Sequence, residues 1–576
     1  MEYFSGTWGI VLIVLLFGGS IFVHEFGHFL AAKAFGLKVL RFSIGFGPTL
    51  FEWKGKDGCK YMISLLPLGG YVAIPQLVSL GKLEGEEEGD AESTAGLPKA
   101  GCLAKICVSA AGALFNLILA FALAAVVYAV GVPSQEILQT TVVGSLSDIT
   151  DANGLKYESP ARLAGIREGD KIISIDGKKA DNFENIIELV AIGSGRGSDG
   201  EPLAKIRVER GGKNIDFDVK PKLIVTNPTS GDEIRMIGVQ PAMKMLVGQI
   251  MKNSPAQKAG LKEGDIVLGF NSKPIYSPAH MSAATEAYAG KTIKLDIVRD
   301  GKKMAIDIVP QRINLTKPLL KISFDSNQIS VLETGGESGV KCVRVLSAKG
   351  LKGVGASDIL YQIDDAKISS LADVEKAFAQ KKKVRQLKFS DDQFNLKEVP
   401  ARGAVLEAQK PQTRVMLGYA LKGDETIRHI PISEQFADSL WKVYNAITSL
   451  ANPKSDIGIS SLAGPVDIGR LIYRLSYTGI MAVLSFTVLL NINLAVLNML
   501  PIPVLDGGHI VFAIIEKLRG KPLPAAVFAG IQTAFSLMFL ALMGYVVYIG
   551  FARWDGDNAR EKQSEIYNQY YEKIKF

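Results

Sequence analysis

Four long apolar stretches divide the chain. They cover residues 7–35, 105–130, 478–500 and 524–551, and each is long enough for a helix to cross a bilayer, which takes about 20 residues. The first is interrupted by the polar pair His24 and Glu25. Between the second and third stretches, short alternating runs of apolar and polar residues indicate strands, and this region holds most of the charge. The pattern predicts four membrane spans and a large inserted region outside the bilayer.

The positive charges predict the orientation of these spans. Near the ends of the spans, the first connecting loop carries Lys38, Arg41, Lys54, Lys56 and Lys60, and the third carries Lys517, Arg519 and Lys521. Short positively charged loops stay in the cytoplasm, so both termini and residues 131–477 are expected on the outer side. The first and third spans then run in the same direction. Residues near His24 and residues just after Leu500 should therefore lie at the same depth, toward the cytoplasm.

Composition narrows the functional classes. Hydrophobic residues make up 48% of the 576 residues and mean hydropathy is +0.19, which fits a protein that is partly in the membrane and partly in water. The net charge of +7 is spread without a dense basic stripe, so we expect no nucleic acid partner. The four cysteines form no CxxC pair, and we expect no disulfide framework.

The inserted region contains repeats. The run SPARLAGIREGDKIISIDG begins at Ser159, and a second run, SPAQKAGLKEGDIVLGFN, begins at Ser254. Each predicts a glycine-rich turn followed by a strand. A third, degenerate copy is predicted from Ser347, with a strand after Asp358 and a helix over residues 371–378.

The chemistry is predicted by two short motifs. His24-Glu25-Phe26-Gly27-His28 is an HExxH motif on a helical stretch, so both imidazoles share one face and can bind one metal ion. A catalytic zinc ion needs a third protein ligand and an open position for water. Asp506 is the candidate, in the second motif NMLPIPVLDGG (residues 498–508), because it follows two prolines that end the third span and precedes two glycines. We expect His509 to be structural, since a fourth protein ligand would close the water position.

An alternative is a histidine pair that is only hydrogen-bonded within a helix bundle. A charged residue at the centre of a membrane span costs about 2.5 kcal/mol or more, so polar groups there usually serve function. This cost favours the metal site.

The two motifs together resemble the site-2 protease family of intramembrane zinc metalloproteases, in the bacterial branch that includes the regulator of sigma-E protease. The two clear repeats look like the PDZ domains of bacterial envelope proteases. The resemblance implies that Zn²⁺ is held by His24, His28 and Asp506, with Glu25 as the general base. It also implies that Asn498 contacts the substrate or the developing oxyanion.

Further stretches carry the same resemblance. Residues 43–48 and 66–71 are similar to the family's re-entrant β segment, which implies that Gly45, Phe46 and Gly47 contact the substrate. An ordinary Gly/Pro-rich loop is the alternative. Residues 112–116 resemble the family's GPxxN motif, with Ala113 in place of proline. Asn116 would then line the active-site cavity or bond a neighbouring helix.

The expected fold is a multi-domain membrane protein: a four-span α-helical bundle with inserted α+β PDZ-like domains and a short re-entrant β segment. The predicted segments are a first span (1–36), a cytoplasmic loop with the β segment (37–104), a second span (105–131), two PDZ-like domains (132–232 and 233–315), a divergent third (316–435), an amphipathic linker (436–477), the third span with the motif loop (478–523), a fourth span (524–552) and a tail (553–576).

The expected function is zinc-dependent cleavage of membrane proteins within their transmembrane segments, in a bacterial inner membrane. By resemblance, the substrates would be trimmed anti-sigma factors and remnant signal peptides. The PDZ-like domains would either bind a peptide or protein ligand by strand addition or exclude bulky substrates. Two alternatives compete: a PDZ scaffold with a vestigial metal site, and a metal transporter. The transporter usually requires repeated halves, which the four spans do not show.

Overall fold

The structure is a computed structural model. It describes residues 7–77, 100–151, 155–227, 232–314, 320–324, 327–335, 341–349, 351, 354, 358–380, 384–390, 396–402, 404–408, 413–423, 425–521 and 523–571. The chain forms two compact units. The first comprises Met1–Gln135 and Glu425–Phe551, and the second comprises Glu136–Asp424 and Ala552–Phe576.

Twelve α-helices lie in the described part of the chain. They are α1 (Thr7–Ala34), α2 (Cys102–Val130), α3 (Pro160–Ala164), α4 (Phe183–Ala191), α5 (Pro255–Lys258), α6 (Pro278–Glu286), α7 (Leu371–Gln380), α8 (Ile432–Ala451), α9 (Pro465–Thr478), α10 (Ile480–Asn498), α11 (Asp506–Arg519) and α12 (Ala525–Tyr571). Short 3-10 turns are at Pro75–Leu77, Glu136–Gln139 and Ile459–Ser461.

The strands follow the same order along the chain. They are β1 (Arg41–Lys54), β2 (Lys60–Ala73), β3 (Val132–Gln135), β4 (Val143–Leu146), β5 (Ile149–Thr150), β6 (Lys156–Tyr157), β7 (Lys171–Ile175), β8 (Lys178–Lys179), β9 (Ala204–Arg210), β10 (Lys213–Val219), β11 (Lys222–Asn227), β12 (Asp232–Met236), β13 (Val239–Pro241), β14 (Met245–Ile250), β15 (Ile266–Phe270), β16 (Lys273–Pro274), β17 (Ile293–Arg299), β18 (Lys302–Ile308), β19 (Gln311–Asn314), β20 (Leu320–Phe324), β21 (Asn327–Gly335), β22 (Lys341–Lys349), β23 (Ile359–Ile363), β24 (Ala366–Lys367), β25 (Gln386–Ser390), β26 (Leu396–Pro400), β27 (Val405–Ala408), β28 (Thr413–Met416), β29 (Tyr419–Leu421) and β30 (Glu425–Arg428).

The prediction of four apolar helices is confirmed. Helices long and apolar enough to cross a membrane include Val14–Ala34, Cys102–Val130, Ile480–Asn498 and Ala526–Trp554. The third ends close to Pro501 and Pro503, because proline has no N–H to continue the helical hydrogen bonds. These helices make the chain a membrane protein.

Small residues allow the membrane helices of the first unit to pack closely. A Cβ atom on Gly27 of α1 would lie 2.5 Å from the carbonyl oxygen of Ala111 on α2, so the two backbones meet at this glycine. Ala120 and Ala124 of α2 pack with Val488 and Ile492 of α10 in one buried cluster. Helix α2 therefore lies against both α1, which carries the HExxH motif, and α10, which ends at Asn498, before the loop that leads to Asp506.

Strands β1 and β2 form a folded hairpin beside α1. Residues 41–44 pair both with 70–73 and with 60–63, while 51–54 pair with 60–63. Phe42 and Val72 pack with Phe29 of α1 in a shared core. The predicted β segment is thus present as strands, and its re-entrant position in the membrane stays a prediction.

The second unit contains three hydrophobic cores, one for each predicted repeat. The first repeat comprises residues 143–241, the second 245–314 with 413–421, and the third 320–408. In all three, a valine N–H donates to an aspartate carbonyl oxygen at 2.8 Å, and a basic residue pairs with that aspartate. The sets are Val143, Asp170 and Arg210, then Val247, Asp265 and Arg299, then Val345, Asp358 and Lys397.

These ion pairs hold the turn of each repeat. Arg299 donates two hydrogen bonds to Asp265, at 2.8 and 2.7 Å. Burial alone would raise the pKa of Asp265, but the hydrogen bonds from Arg299 and from the backbone N–H of Lys262, together with the positive charges of these two residues, lower the pKa below its ordinary value. The same contact at Asp358 supports the degenerate third repeat, whose helix α7 covers the predicted segment 371–378. The PDZ identity of the repeats stays a prediction.

The third repeat is inserted within the second. Strand β19 pairs with β28 across the intervening residues 315–412, and β29 then pairs with β14. In the first repeat the matching strands β11 and β12 pair with each other and are separated in the sequence only by residues 228–231. The second repeat therefore extends past the predicted boundary at 315.

Candidate metal centre

Helix α1 presents two histidines to the interior. His24 and His28 are one turn apart, and each is 8% exposed. Their Nε2 atoms are 3.2 Å apart. This spacing follows from the helical repeat, which places residues four apart on one face.

Asp506 completes a group of three metal-donor residues with His24 and His28. The orientation of the spans predicts that Asp506 lies at the same membrane depth as the two histidines. Its Oδ2 atom lies 3.1 Å from His24 Nε2 and 3.4 Å from His28 Nε2. Donor atoms around a tetrahedral zinc ion lie about 3.3–3.5 Å apart, given bonds of about 2.0–2.2 Å. The three atoms therefore form a triangle of the size that a metal ion requires.

The loop before α11 brings Asp506 into place. Two glycines follow the aspartate, and a Cβ atom on either would overlap backbone. On Gly507 it would meet the carbonyl oxygen of Met499, and on Gly508 that of Ile502. The chain can therefore turn this tightly only because neither residue has a side chain.

The donor set fits a divalent cation. Asp506 is 8% exposed, and its Oδ2 makes no hydrogen bond of acceptable geometry to any described residue, although both imidazoles are within ion-pairing distance. A buried carboxylate oxygen without a hydrogen bond is costly. Two imidazoles and one carboxylate are also the donors that catalytic zinc sites use. Of the described residues, these three form the group suited to hold a metal.

Two groups on helix α2 contact the Nδ1 atoms of the two imidazoles and orient the rings. His28 Nδ1 lies 2.7 Å from the carbonyl oxygen of Val108, so Nδ1 carries the proton and donates it to that oxygen, and the lone pair of Nε2 is left to bind a metal ion. His24 Nδ1 lies 3.2 Å from the side-chain amide of Asn116. Asn116 is fully buried, and its Oδ1 has no partner in the described structure. A rotation of this amide offers Oδ1 to a proton on His24 Nδ1.

Asn116 is therefore expected to set the metal affinity. Asn116→Leu keeps the volume but removes the acceptor, and the metal affinity should fall by about 10–100-fold. Asn116→Asp retains an acceptor and should recover most of that affinity. Competition with a chromogenic chelator measures both variants without an assay of cleavage. If Asn116→Leu bound the metal with the affinity of wild type, this role of Asn116 would be contradicted.

Gly112 gives the imidazoles their space. A Cβ atom at this position would lie 2.5 Å from His28 Nε2 and 2.6 Å from His24 Cε1. In the sequence, Gly112 stands out only as the first residue of the stretch that resembles GPxxN. Its role depends on the two histidine side chains of α1 that lie against it, and the sequence around position 112 does not indicate that contact.

Glu25 lies beside the donors at a cavity. The cavity has a volume of about 260 Å³, and its lining includes the three donors, Glu25, Gly69, Gly70, Asn116 and Asn498. A Cβ atom on Gly70 would lie 3.0 Å from Cγ of Glu25, so the last part of β2 contacts the glutamate. The cavity is large enough for several water molecules or a short piece of peptide.

The structure places some of the other predicted site residues in the cavity lining and others outside it. Asn498 lines the cavity, and its amide nitrogen lies 3.3 Å from His24 Nε2. Gly45 and Gly47 lie in β1, outside the cavity lining, where they adopt positive φ. Phe46 pairs with Leu66, and its side chain lies outside the described part of the structure. His509 is buried on α11 but does not join the donor group.

The chain is similar to known proteins over most of its length. The model of peptidase family M50 matches residues 12–543. A putative zinc metalloprotease of Pasteurella multocida (strain Pm70) is 26% identical over 559 residues, covering 95% of this chain and 100% of the relative. The regulator of sigma-E protease RseP of Escherichia coli (strain K12) is 25% identical over 563 residues, covering 95% and 99%. A regulator of sigma E protease of Haemophilus influenzae is 25% identical over 560 residues, covering 95% and 100%.

Proposed function

Because this chain belongs to peptidase family M50, we propose that it is an intramembrane endopeptidase that uses Zn²⁺ to cut transmembrane segments of other membrane proteins. It is a membrane metalloendopeptidase with a metal cofactor. The proposal adds the metal's identity, the residues that bind it, and the substrate.

The observation that supports it most is the position of the donor triangle. His24 and His28 belong to a helix apolar enough to span the membrane, and Asp506 reaches them from beyond the third such helix. Polar groups at such a place cost free energy, so their presence there indicates a function. A vestigial site, as in the scaffold alternative, has no physical need to keep all three donors and Glu25 together.

Each site residue would have a separate role in peptide-bond hydrolysis. A bound Zn²⁺ would lower the pKa of a coordinated water to about 7 and polarise the peptide carbonyl. Glu25 lines the cavity, takes a proton from the attacking water and passes it to the leaving amine. The amide of Asn498 donates a hydrogen bond to the carbonyl oxygen as negative charge develops there.

The substrate must be extended before it is cut. A helical segment shields its peptide carbonyls in internal hydrogen bonds, which attack requires to be broken. Residues 70–73 of β2 pair with β1 on one side, and Gly69 and Gly70 line the cavity. This edge would hold the segment as an added strand across Glu25.

For the biological setting, we propose a bacterial inner membrane, with the three repeats and both termini outside the cytoplasm. The positive loops support this orientation. We propose trimmed anti-sigma factors as substrates, with remnant signal peptides as a second class; two relatives are named as regulators of sigma-E, which fits the first class. The repeats would exclude untrimmed proteins or bind part of them.

The test is cleavage of a tagged single-span membrane protein by the full chain in detergent. Wild type should cut it, lose activity after metal removal and regain it with Zn²⁺. Asp506→Ala should lose both bound zinc and cleavage, because one of three donors is gone. His509→Gln is the matched control on the same helix and should retain its zinc. Metal-independent cleavage, or full zinc content in Asp506→Ala, would contradict the proposal.

A further inference from the structure

A second cavity lies on the side of α1 opposite the metal centre. It has a volume of about 230 Å³, and its lining includes three phenylalanines of α1 and three aromatic residues of the β1–β2 hairpin: Phe22, Phe26, Phe29, Phe42, Trp53 and Tyr61. Phe22 and Phe26 each lie two positions before a histidine of the metal centre, which on a helix is a rotation of about 200°. The two cavities share no lining residue. We call the second one the aromatic slot.

The aromatic slot is a continuous apolar surface. Along α1 it extends from Phe22 to Phe29, a rise of about 10 Å. Phe22 and Phe26 stack with ring centroids 5.7 Å apart, and the centroids of Phe29 and Tyr61 are 6.0 Å apart. An apolar cavity does not hold water, which needs polar partners. Because α1 is apolar enough to span a membrane, the solvent that this slot meets is lipid hydrocarbon.

The apolar surface continues from the aromatic slot across the hairpin. Ile44 lines the slot and pairs with Ile63, which in turn pairs with Phe51. Ile63 is 37% exposed and Phe51 is 67% exposed. Exposed apolar side chains that adjoin one another are typical of a surface that contacts lipid or a partner.

One end of the aromatic slot is charged. The Tyr61 hydroxyl donates a hydrogen bond to Oδ2 of Asp57 at 3.1 Å, and Lys33 pairs with the same carboxylate. Nζ of Lys33 lies 5.2 Å from the centroid of the Phe29 ring, so this ion pair is at the slot. Asp57 belongs to the turn between β1 and β2. The turn therefore marks the polar end of an otherwise apolar slot.

This end carries an excess of positive charge. Lys33 is paired with Asp57, and Lys60 is paired with Glu52. Two more lysines, at positions 54 and 56, are exposed and have no ion-pair partner among the described residues. The first of them directly follows Trp53 of the slot. An apolar slot that ends beside two unpaired cations has the polarity of an anionic lipid, in which hydrocarbon is joined to a phosphate.

We propose that the aromatic slot binds one acyl chain of an anionic phospholipid, whose phosphate group lies beside Lys54 and Lys56. Hydrocarbon matches the aromatic lining, and the headgroup charge matches the two unpaired lysines. Basic residues beside membrane helices on the cytoplasmic side commonly bind such headgroups. The bound chain would fill the space between the hairpin and α1, on the side away from the metal donors. The proposal depends on the membrane location of α1 and is independent of the protease activity.

The first test measures lipid preference at Trp53, which lines the slot. The full chain, with Trp8, Trp441 and Trp554 replaced by phenylalanine, is reconstituted into phosphatidylcholine bilayers. A small fraction of phosphatidylglycerol with brominated acyl chains is added, and fluorescence quenching is compared with that by the same fraction of brominated phosphatidylcholine. Each lysine near an anionic group contributes about a fivefold factor, so we expect a preference of roughly tenfold to thirtyfold. Equal quenching by the two lipids would overturn the proposal.

Two pairs of substitutions locate the headgroup. Lys54→Gln combined with Lys56→Gln should reduce the preference to about onefold, since both unpaired cations are removed. Lys517→Gln combined with Lys521→Gln removes the same charge from the third connecting loop and should leave the preference unchanged. A preference that survives the first pair of substitutions, or that falls equally in both, would overturn the headgroup site.

A second experiment fills the slot. Ile44→Trp places a larger side chain in the lining, whereas Leu50→Trp is the matched control in the same strand, 53% exposed and outside the slot. Native mass spectrometry of the detergent-purified chain with added phosphatidylglycerol should show one retained lipid in wild type and in the control, and none in Ile44→Trp. All three should contain equal metal, because the two cavities share no residue. Lipid retained by Ile44→Trp would overturn the proposal. So would no retained lipid in wild type, which would leave a protein segment as the occupant.

Discussion

Replacing Glu25 with glutamine is expected to lower kcat for cleavage by about a hundredfold to ten-thousandfold. Glutamine has a similar shape but cannot take a proton from water, and positioned proton transfer contributes about that factor. The zinc content should remain that of wild type, because Glu25 is not one of the three donors. The measurements are single-turnover cleavage of a single-span substrate and metal analysis of the same sample.

A matched control separates this effect from a general loss of charge. Glu52 lies in β1 of the same unit, and its exposed side chain pairs with Lys60. Glu52→Gln should cleave at nearly the wild-type rate, since surface ion pairs contribute little to stability. Cleavage by Glu25→Gln at the rate of this control would remove Glu25 from the mechanism.

Replacing Gly112 with alanine is expected to disrupt the centre through one added methyl group. The new Cβ atom would lie 2.5 to 2.7 Å from atoms of both imidazoles, and helix α2 cannot retreat without separating from α1. Overpacking of this kind costs about 1–3 kcal/mol, so metal affinity should fall by roughly tenfold to hundredfold. Cleavage at limiting zinc should fall with it. Chelator competition and the thermal midpoint of the zinc-loaded protein report the change.

Gly19→Ala is the matched control for this variant. Gly19 lies in α1, and a Cβ atom there has no neighbouring atom within 4 Å. Alanine in a helix interior is favoured over glycine by about 1 kcal/mol, so the control should bind metal normally and unfold no earlier than wild type. If Gly112→Ala also bound zinc with wild-type affinity, the close approach of α2 to the histidines would be wrong.

Local patterns predicted the membrane helices and the donor set. The apolar stretches were long enough to identify four helices, with ends within three residues of the candidate spans except at the first, predicted from 7 and found from Val14. His24 and His28 share a face by helical periodicity alone. The positive loops predicted that Asp506 would reach the same depth, and the distances of 3.1 and 3.4 Å agree with that expectation. The catalytic role of each residue stays a prediction.

Other features depend on contacts between distant segments. The sequence placed Asn116 at the cavity or against a helix, but its pairing with His24 required the packing of α2 on α1. Gly112 and Gly70 carried no signal of their own, because a glycine looks the same whether a histidine or solvent lies beside it.

The sequence by itself determined the class of protein, the four apolar helices, the repeats and the residues able to hold a metal, because each depends on periodicity or spacing along a single segment. The tertiary structure decided the order of strands, the insertion of the third repeat within the second, and the side chains that orient each imidazole. Those features depend on which surfaces meet. Complementary packing between segments hundreds of residues apart, such as α1 with the loop before α11, leaves no local pattern in either segment.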